Sequence, residues 1–577
     1  MNEVKTINRK LLLLYVICII VICLGITGKL VYLMVFKSQY YSEKALEIQE
    51  RERKIKAPRG KIVDRNGKII ASNKTVCTVS VIYNQIKEPE KVIEILSKEL
   101  ELDQEEIRKK VTKRSVREKI KSNISKEIGD RIREYNLEGV KVDEDYKRYY
   151  PYSSLASKVL GFTGADNQGI IGLEVKYDKY LQGIDGLILT PTDSRGIEQD
   201  TALEERVEPV SGNDLITSID VNIQQYAEQI AYNALEAKKA NYVSIIVMNP
   251  NNGEILAMVN APEFDLNDPY TLNYETDSQL SADKKQDLLN KMWRNQCIND
   301  TYEPGSTFKV VTATAALEEG VVTLDSKFNC PGFRIVDDRR IKCHKTTGHG
   351  TETFLEGTMN SCNPVFIDIG LRVGPKNFYK YLDKLGLRDK TGIDIPGEAS
   401  TIIHQLKNVG NVEMATMAFG QSFQITPVQY LVAASAVVNG GKLITPHFAV
   451  KSMNADGEVV ENFQYKETQN VVSKETSETM RYILEKVISE GTGSKGQVEG
   501  YKIGGKTATS QKLPRGSGKY IASFMGFAPA DNPQVIAMAI VDEPEGIYYG
   551  GQVAAPLISQ LYQNILPYLL EGKEQGE

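Results

Sequence analysis

The sequence predicts an α+β protein: an antiparallel sheet flanked by helices, carried on an extended N-terminal module behind one N-terminal transmembrane helix. Three observations lead there. One apolar run near the start, residues 11–36, breaks an otherwise soluble pattern. From residue 215 onward short apolar strands come first, then a helical middle, then strands again and a closing helix, the order of a sheet faced by helices. Between these two regions, residues 206–213 (VEPVSGND) are rich in Pro, Gly and Asn and mark a boundary.

Taken in order, residues 1–10 form a short tail and 11–36 the anchor, apolar except for Thr27 and Lys29. That length crosses a hydrocarbon core of about 30 Å. Lys5, Arg9 and Lys10 precede it, so the positive-inside tendency puts the N-terminus in the cytoplasm and everything from Lys37 onward outside the membrane. A cleaved signal peptide is the competing reading, but the run is long for one and no Ala-x-Ala site follows. Residues 40–53 read as a charged helical stalk. Alternating apolar residues on either side of Asn66-Gly67 predict a hairpin with a type I′ turn. Residues 85–135, rich in Glu, Lys and Ile at helical spacing, predict short amphipathic helices with solvated charged faces. Extended structure returns near 148–152, 169–174 and 186–191. Residues 37–205 therefore form one module and 212–571 the main domain. Within the latter, strands are expected at 215–220, 242–248, 254–259, 501–510, 520–528 and 534–541, with helices at 221–239 and 555–570.

Composition excludes several classes. The net charge is −5 over 577 residues and 41% of them are hydrophobic, which fits neither a nucleic-acid binder nor a disordered chain. Of seven cysteines, Cys18 and Cys23 lie in the anchor as apolar filling. Cys77, Cys297, Cys330, Cys343 and Cys362 are too few and too scattered for a disulfide framework.

The chemistry is concentrated in three motifs. Ser306-Thr307-Phe308-Lys309 follows Glu303-Pro304-Gly305, a turn that delivers Ser306 to the first turn of an apolar helix. A serine one helical turn ahead of a lysine is a nucleophile beside an amine that can take its proton, the signature of acyl-serine enzymes. A helix N-terminus also suits a developing oxyanion. Ser361-Cys362-Asn363 and Lys506-Thr507-Ala508-Thr509 follow in order. A second Ser-x-x-Lys, Ser281 to Lys284, stands in a polar stretch without partner motifs and is read as chance.

Together these motifs resemble the class B penicillin-binding proteins, membrane-anchored monofunctional transpeptidases of peptidoglycan, and within them the division and sporulation branch. Arg59-Gly60 with Asp64-Arg65-Asn66-Gly67 resembles the family's pedestal motif, Gly172-Leu173-Glu174 its linker motif, and Gly420-Gln421 with Thr426-Pro427-Val428-Gln429 its catalytic domain. The resemblance implies a β-lactamase/transpeptidase-like domain at 212–571 on a dimerisation-type pedestal at 37–205. It implies that Ser306 attacks the penultimate D-Ala carbonyl of a stem peptide and that Lys309 is the general base. It further implies that Ser361 relays a proton, that Asn363 holds Lys309 and the substrate amide, and that Lys506 and Thr507 bind the substrate carboxylate. Backbone N–H groups of Ser306 and Thr509 would form the oxyanion hole. The lysine would need a pKa well below about 10.4, which burial and the nearby Lys506 charge would both provide. Partners implied are stem peptides, β-lactams, the membrane, and a glycosyltransferase reached through anchor and pedestal, with no nucleic acid. The chemistry needs no cofactor. Alanine at 508 departs from the family's glycine, and a methyl there is expected to narrow the groove or shift Thr509, altering β-lactam affinity without ending catalysis.

Two of only four histidines lie at His344 and His349, beside Cys343 and thirteen residues or more after Cys330. Cys330, Cys343, His344 and His349 are the ligand types of tetrahedral zinc, with Asp337 or Asp338 available if one histidine does not ligate. A Cys330–Cys343 disulfide and unlinked side chains are the other readings. Cys362 is read as a packed small residue. Two other functions compete: a β-lactamase or β-lactam sensor of the same fold, and a non-catalytic scaffold of a wall-synthesis complex.

Overall fold

The computed structural model describes residues 2–41, 50–115, 117–191, 205–274 and 280–571. A continuous helix begins at Asn2, and Lys10–Phe36 is 27 residues of it, including an 18-residue window of mean hydropathy 2.9 with no buried residue. At 1.5 Å per residue the whole stretch is about 40 Å, enough to cross a bilayer with tilt. Most of the expected stalk, residues 42–49, lies outside the described residues. Its end does not extend a helix: Glu50–Ile55 is a strand, paired antiparallel with Gly186–Pro191.

The chain divides into two compact units, one of 1–58, 74–147 and 184–210, the other of 59–73, 148–183 and 211–577. In the first, the amphipathic helices expected at 85–135 appear as Pro89–Leu100, Gln104–Val111 and Lys126–Glu134. Asp103 and Ser125 cap the last two. Between them Glu118–Ser125 is a strand, its Ile120 and Ile124 buried with Val92, Ile93, Leu96, Ile107 and Ile132. Ile120 and Ile124 stand four apart, a spacing that fits a helix face as well as one face of a strand, inside a composition that favours helix.

In the second unit, five antiparallel strands run in the order Ile255–Ala261, Tyr242–Met248, Val535–Asp542, Tyr520–Ala528, Gly504–Gln511. The first four are buried on both faces, so each reads as largely apolar sequence and divides by alternation, while Gly504–Gln511 carries the polar third motif. Val535, Ala537, Ala539 and Val541 pack on Val221–Lys238 and the closing helix Ala555–Glu571. Ile536, Met538 and Ile540 join the other core, with the helices Lys309–Glu318, Asn363–Lys384 and Pro427–Val438.

The Asn66-Gly67 hairpin forms, with Ile62–Val63 pairing back on the start of Ile69–Val81. Its turn is not type I′. Only Gly67 is left-handed (φ 86°), Gly67 N donates to Asp64 O, and Asp64 N donates to Lys68 O. This is a type I turn closed by a glycine bulge. Asp64 Oδ1 accepts from both Asn66 N and Lys68 N, which stabilises that turn over the two-residue alternative.

The resembling pedestal and linker motifs meet in one buried charge network. Glu174, fully buried, takes Arg59 Nε at 2.7 Å on one carboxylate oxygen and Arg148 Nε at 2.7 Å on the other. Asp178 holds Arg59 Nη1, Gly60 O holds Arg148 Nη1, and Tyr150 donates to Glu174. Each buried charge thus has an opposite partner and further hydrogen bonds, the condition under which burial is tolerable.

Candidate active site

Ser306 sits in a tight turn, Gly305–Phe308, that runs directly into the helix Lys309–Glu318. A second segment clamps this turn from behind. Gly305 N donates to Gly420 O, Ser422 N to Glu303 Oε1, and Tyr302 bridges Ile425. Gly420 must be glycine: its φ is 85° and a Cβ there would lie 2.1 Å from Gly305 O. Tyr430, on the Thr426-capped helix, donates to Thr307 O at 2.9 Å. Gly420-Gln421 and Thr426 to Gln429 thus fix the nucleophile's backbone. Ser306 itself is half-buried and its hydroxyl has no hydrogen bond among the described residues.

One turn on, Lys309 is fully buried. Its ammonium donates to Ser361 O (2.7 Å), Asn363 Oδ1 (2.8 Å) and Ser361 Oγ (3.3 Å), with the Phe366 ring 5.3 Å away. Ser361 reaches this position from a left-handed conformation (φ 52°), just ahead of the helix that Asn363 begins. Asn363 Nδ2 is held by Lys342 O. Lys506, also buried, donates to Ser361 Oγ at 2.9 Å and to Thr507 O. Two amines therefore converge on one hydroxyl, with no ion pair to either among the described residues. Desolvation pushes Lys309 down to about 8. Burial first, and the Lys309 charge second, hold Lys506 well below the ordinary lysine range. The repulsion between the two buried amines is mutual and opposes charging both at once.

Strand Gly504–Gln511 is the edge of the five-stranded sheet, paired on one side only with Tyr520–Ala528. Its free side can accept an extended peptide as a further strand. Lys506, Ala508 and Ser510 face the nucleophile helix, while Thr507 and Thr509 face the other way, where Thr509 Oγ1 accepts from Gly550 N at 2.9 Å. This alternation redirects the expectation for Ala508. Its methyl is 3% exposed and packs against the nucleophile turn, where a Cβ built on Gly305 would meet it at 3.5 Å. The methyl therefore lies beneath the strand rather than across its open side. Gly550 is a requirement the sequence reading missed: a Cβ there would strike Ala508 O at 2.0 Å. Arg515, on the loop after the strand, pairs with Glu303 of the nucleophile turn, a contact between residues too distant in sequence to suggest it.

The expected metal ligands are brought together with one exchange. Cys330, Cys343, His349 and Cys362 each offer a donor atom, all within 4.8 Å of one another. His344 is exposed and its one polar contact with the group is to Cys343, Nδ1 to Sγ at 3.8 Å; Cys362, from the middle of the second motif, takes its place in the group of four. Cys343 N donates to Gly332 O and His349 N to Cys330 O, so a loop folded back on Pro331-Gly332 delivers three donors and the catalytic motif the fourth. All three sulfurs are free thiols, which leaves no Cys330–Cys343 disulfide. Cys362 could have been found in the sequence only by asking what flanks Ser361, because nothing in its spacing to the other three is regular. Ser281 proves to be a helix cap, its Oγ accepting from Lys284 N on the surface.

Comparison with known proteins agrees with this geometry. Residues 243–563 match the family described as penicillin binding protein transpeptidase domain, and 54–217 that described as penicillin-binding protein dimerisation domain. Stage V sporulation protein D of Bacillus subtilis is 39% identical over 97% of this chain and 86% of its own. The probable peptidoglycan D,D-transpeptidase PenA of Neisseria gonorrhoeae is 28% identical over 95% and 90%. Among solved structures, penicillin binding protein 2X from Streptococcus thermophilus superposes with a TM-score of 0.75 at 22% identity, covering 91% of this chain and 82% of that one.

Proposed function

This chain belongs to the penicillin-binding protein transpeptidase family, and from that premise we propose that it is a membrane-anchored peptidoglycan D,D-transpeptidase of septal or spore wall synthesis. One observation carries the reading: two buried, carboxylate-free amines share the Ser361 hydroxyl one helical turn from Ser306. A non-catalytic scaffold would have no reason to keep that arrangement, and a β-lactamase none to keep the 54–217 module.

Ser306 Oγ attacks the carbonyl of the penultimate D-Ala, and neutral Lys309 takes its proton. Backbone N–H groups of Ser306 and Thr509 receive the developing oxyanion, an effect of about 3–4 kcal/mol where measured. The proton passes through Ser361, with Lys506 beside it, to the departing D-Ala amine. Asn363 orients Lys309 and the substrate amide. Thr507 and Thr509, on the strand's other face, hold the stem-peptide carboxylate, and Lys506 supplies positive potential from within. A second stem peptide's amine then attacks the acyl-serine to form the cross-link. A β-lactam enters by the same first step and is not resolved. The anchor is placed with Lys5, Arg9 and Lys10 in the cytoplasm, leaving the catalytic domain outside and the anchor and pedestal free to bind a glycosyltransferase.

Cys330, Cys343, Cys362 and His349 would hold a structural zinc, a donor set and spacing that suit a closed tetrahedral site. Bound there, the metal would supply no chemistry beyond fixing the loop against the second motif. Elemental analysis of the purified chain should find one zinc per molecule, lost in Cys362→Ser; a metal-free wild type would end that assignment.

The activity is tested by labelling the full-length protein with a fluorescent penicillin. A covalent band in wild type that disappears in Ser306→Ala is expected. A band that persists in the variant, or none in a folded wild type, would refute the site.

A further inference from the structure

Away from the active site, a cavity of 600 Å³ opens between residues 158–172, the end of the helix Ala282–Met292 and the turn 395–399. Its volume is in the range of small-molecule sites. The walls are apolar: Trp293, Ile170, Ile171, Ile298, Ile395 and Pro396. Trp293 is fixed there by its indole N–H to Pro269 O (2.9 Å) and by the Phe162 ring at 5.1 Å.

The polar part of the lining is one-sided. Its charged residues are Lys158 and Arg294, and no carboxylate lines it. Arg294 is already paired with Asp300. Lys158 is 5% exposed, and its ammonium donates to Asn260 O (3.0 Å) and Gln296 Oε1 (3.3 Å), both neutral. An ammonium has three N–H groups, and the third has no partner among the described residues. Lys158 also forms no ion pair among them; Glu263 reaches its backbone N–H, not its amine. Burial draws the amine's pKa below the ordinary lysine value, and the nearby Glu263, Cys297 and Asp300 offset this only in part. A buried cation that is hydrogen-bonded but not neutralised is costly unless an anion completes it.

We propose that this cavity is a binding site for a small organic anion with an apolar body, its acidic group taken by Lys158 and its body lying against Trp293 and the isoleucines.

Trp293 is the only tryptophan in 577 residues, so its emission reports this cavity alone. The probe is 1-anilinonaphthalene-8-sulfonate, titrated into the full-length chain in detergent, with Trp293→Phe removing the micelle background. Saturable energy transfer from Trp293 is expected. Lys158→Met should weaken binding about tenfold or more, as should N-phenyl-1-naphthylamine, which has the same rings and no sulfonate. Ile170→Asp, at a half-exposed position on the rim, should weaken the anion too and covers the case that Lys158→Met does not fold. Fluorescent penicillin labelling of Ser306 verifies that each variant is folded, and prior acylation should leave the titration unchanged. Transfer that fails to saturate, equal affinity for the neutral probe, or affinity unchanged in both variants would overturn the proposal.

Discussion

Two clusters of buried cations in the same unit are built on opposite rules. Around Glu174, two guanidiniums are each paired with carboxylate oxygens, and Arg59 is held above its ordinary range by Glu174 and Asp178 despite the opposing pull of burial. Around Ser361, two amines meet a hydroxyl, a backbone carbonyl and an amide oxygen without an ion pair, and desolvation outweighs the opposing pull of Cys362, Cys343 and Glu352 on Lys309. An arginine cannot discharge, so its burial requires anions; a lysine can lose its proton, so its burial beside a serine hydroxyl without a paired anion can make a base. The difference separates a structural joint from a reactive site using side chains of the same formal charge.

The largest effect should come from the reactive cluster. Lys309→Met removes the proposed proton acceptor while keeping the side chain's volume, and general-base catalysis contributes about 10²–10⁴-fold. Acylation by fluorescent penicillin should slow by about 10³, with little change in melting temperature because a costly buried amine is also removed. A variant that acylates within tenfold of wild type would show that another group takes the Ser306 proton.

The joint should respond in the reverse sense. Glu174→Gln leaves Arg148 buried without a carboxylate and Arg59 with Asp178 alone, and removing one member of a buried ion pair costs about 3–5 kcal/mol. Thermal unfolding should shift down by several degrees, while the acylation rate at low temperature stays within about threefold. A stable variant with impaired acylation would mean the network acts on the active site rather than on the fold.

The two clusters were not equally legible in the sequence. Ser306, Lys309, Ser361, Asn363 and Lys506 stand in short motifs, because a helical turn or a strand pair fixes each local relation. Four of the sheet strands were legible too, being largely apolar on both faces, and the fifth carries the third motif. Glu118–Ser125 was not, since Ile120 and Ile124 stand four apart, a spacing a helix would also give. Cys362 in place of His344 was also hidden: what brings a sulfur to that group is the left-handed turn at Ser361, a backbone conformation that no residue type announces. The Arg59–Glu174 contact spans 115 residues and the Arg148–Glu174 contact 26, so only the motifs, not their meeting, could be read.

A third consequence is pH dependence. Lys309 must be neutral to accept a proton, and its pKa of about 8 makes it mostly ammonium at pH 6. The acylation rate should therefore fall about tenfold per unit below pH 8 and level off above it. By linkage, the unfolded chain holds this proton up to the ordinary value of 10.5 while the folded chain releases it near 8. The penalty is thus complete below pH 8 and is relieved as the pH rises between those values. Arg59 gives no such window. A profile flat from pH 6 to 9 would contradict the amine as base.

The smallest effect is expected at Ala508, on the same strand face as Lys506. Its methyl fills space against Gly305 rather than the open side of the strand, so Ala508→Gly should change penicillin acylation by less than about threefold. The cost should appear in stability instead, about 0.5–1 kcal/mol from the added freedom of glycine in a strand. Ala508→Val is the sharper test. Its extra methyls would be driven toward Gly305 and Ser510, whose atoms already crowd that turn, displacing the Ser306 backbone relative to Lys309. A loss of tenfold or more in Val with near-normal behaviour in Gly would show that residue 508 acts on the nucleophile turn. The reverse order would mean that the methyl shapes the substrate's side of the strand, and the comparison of the two lysines would then have to include the groove as well as the buried amines.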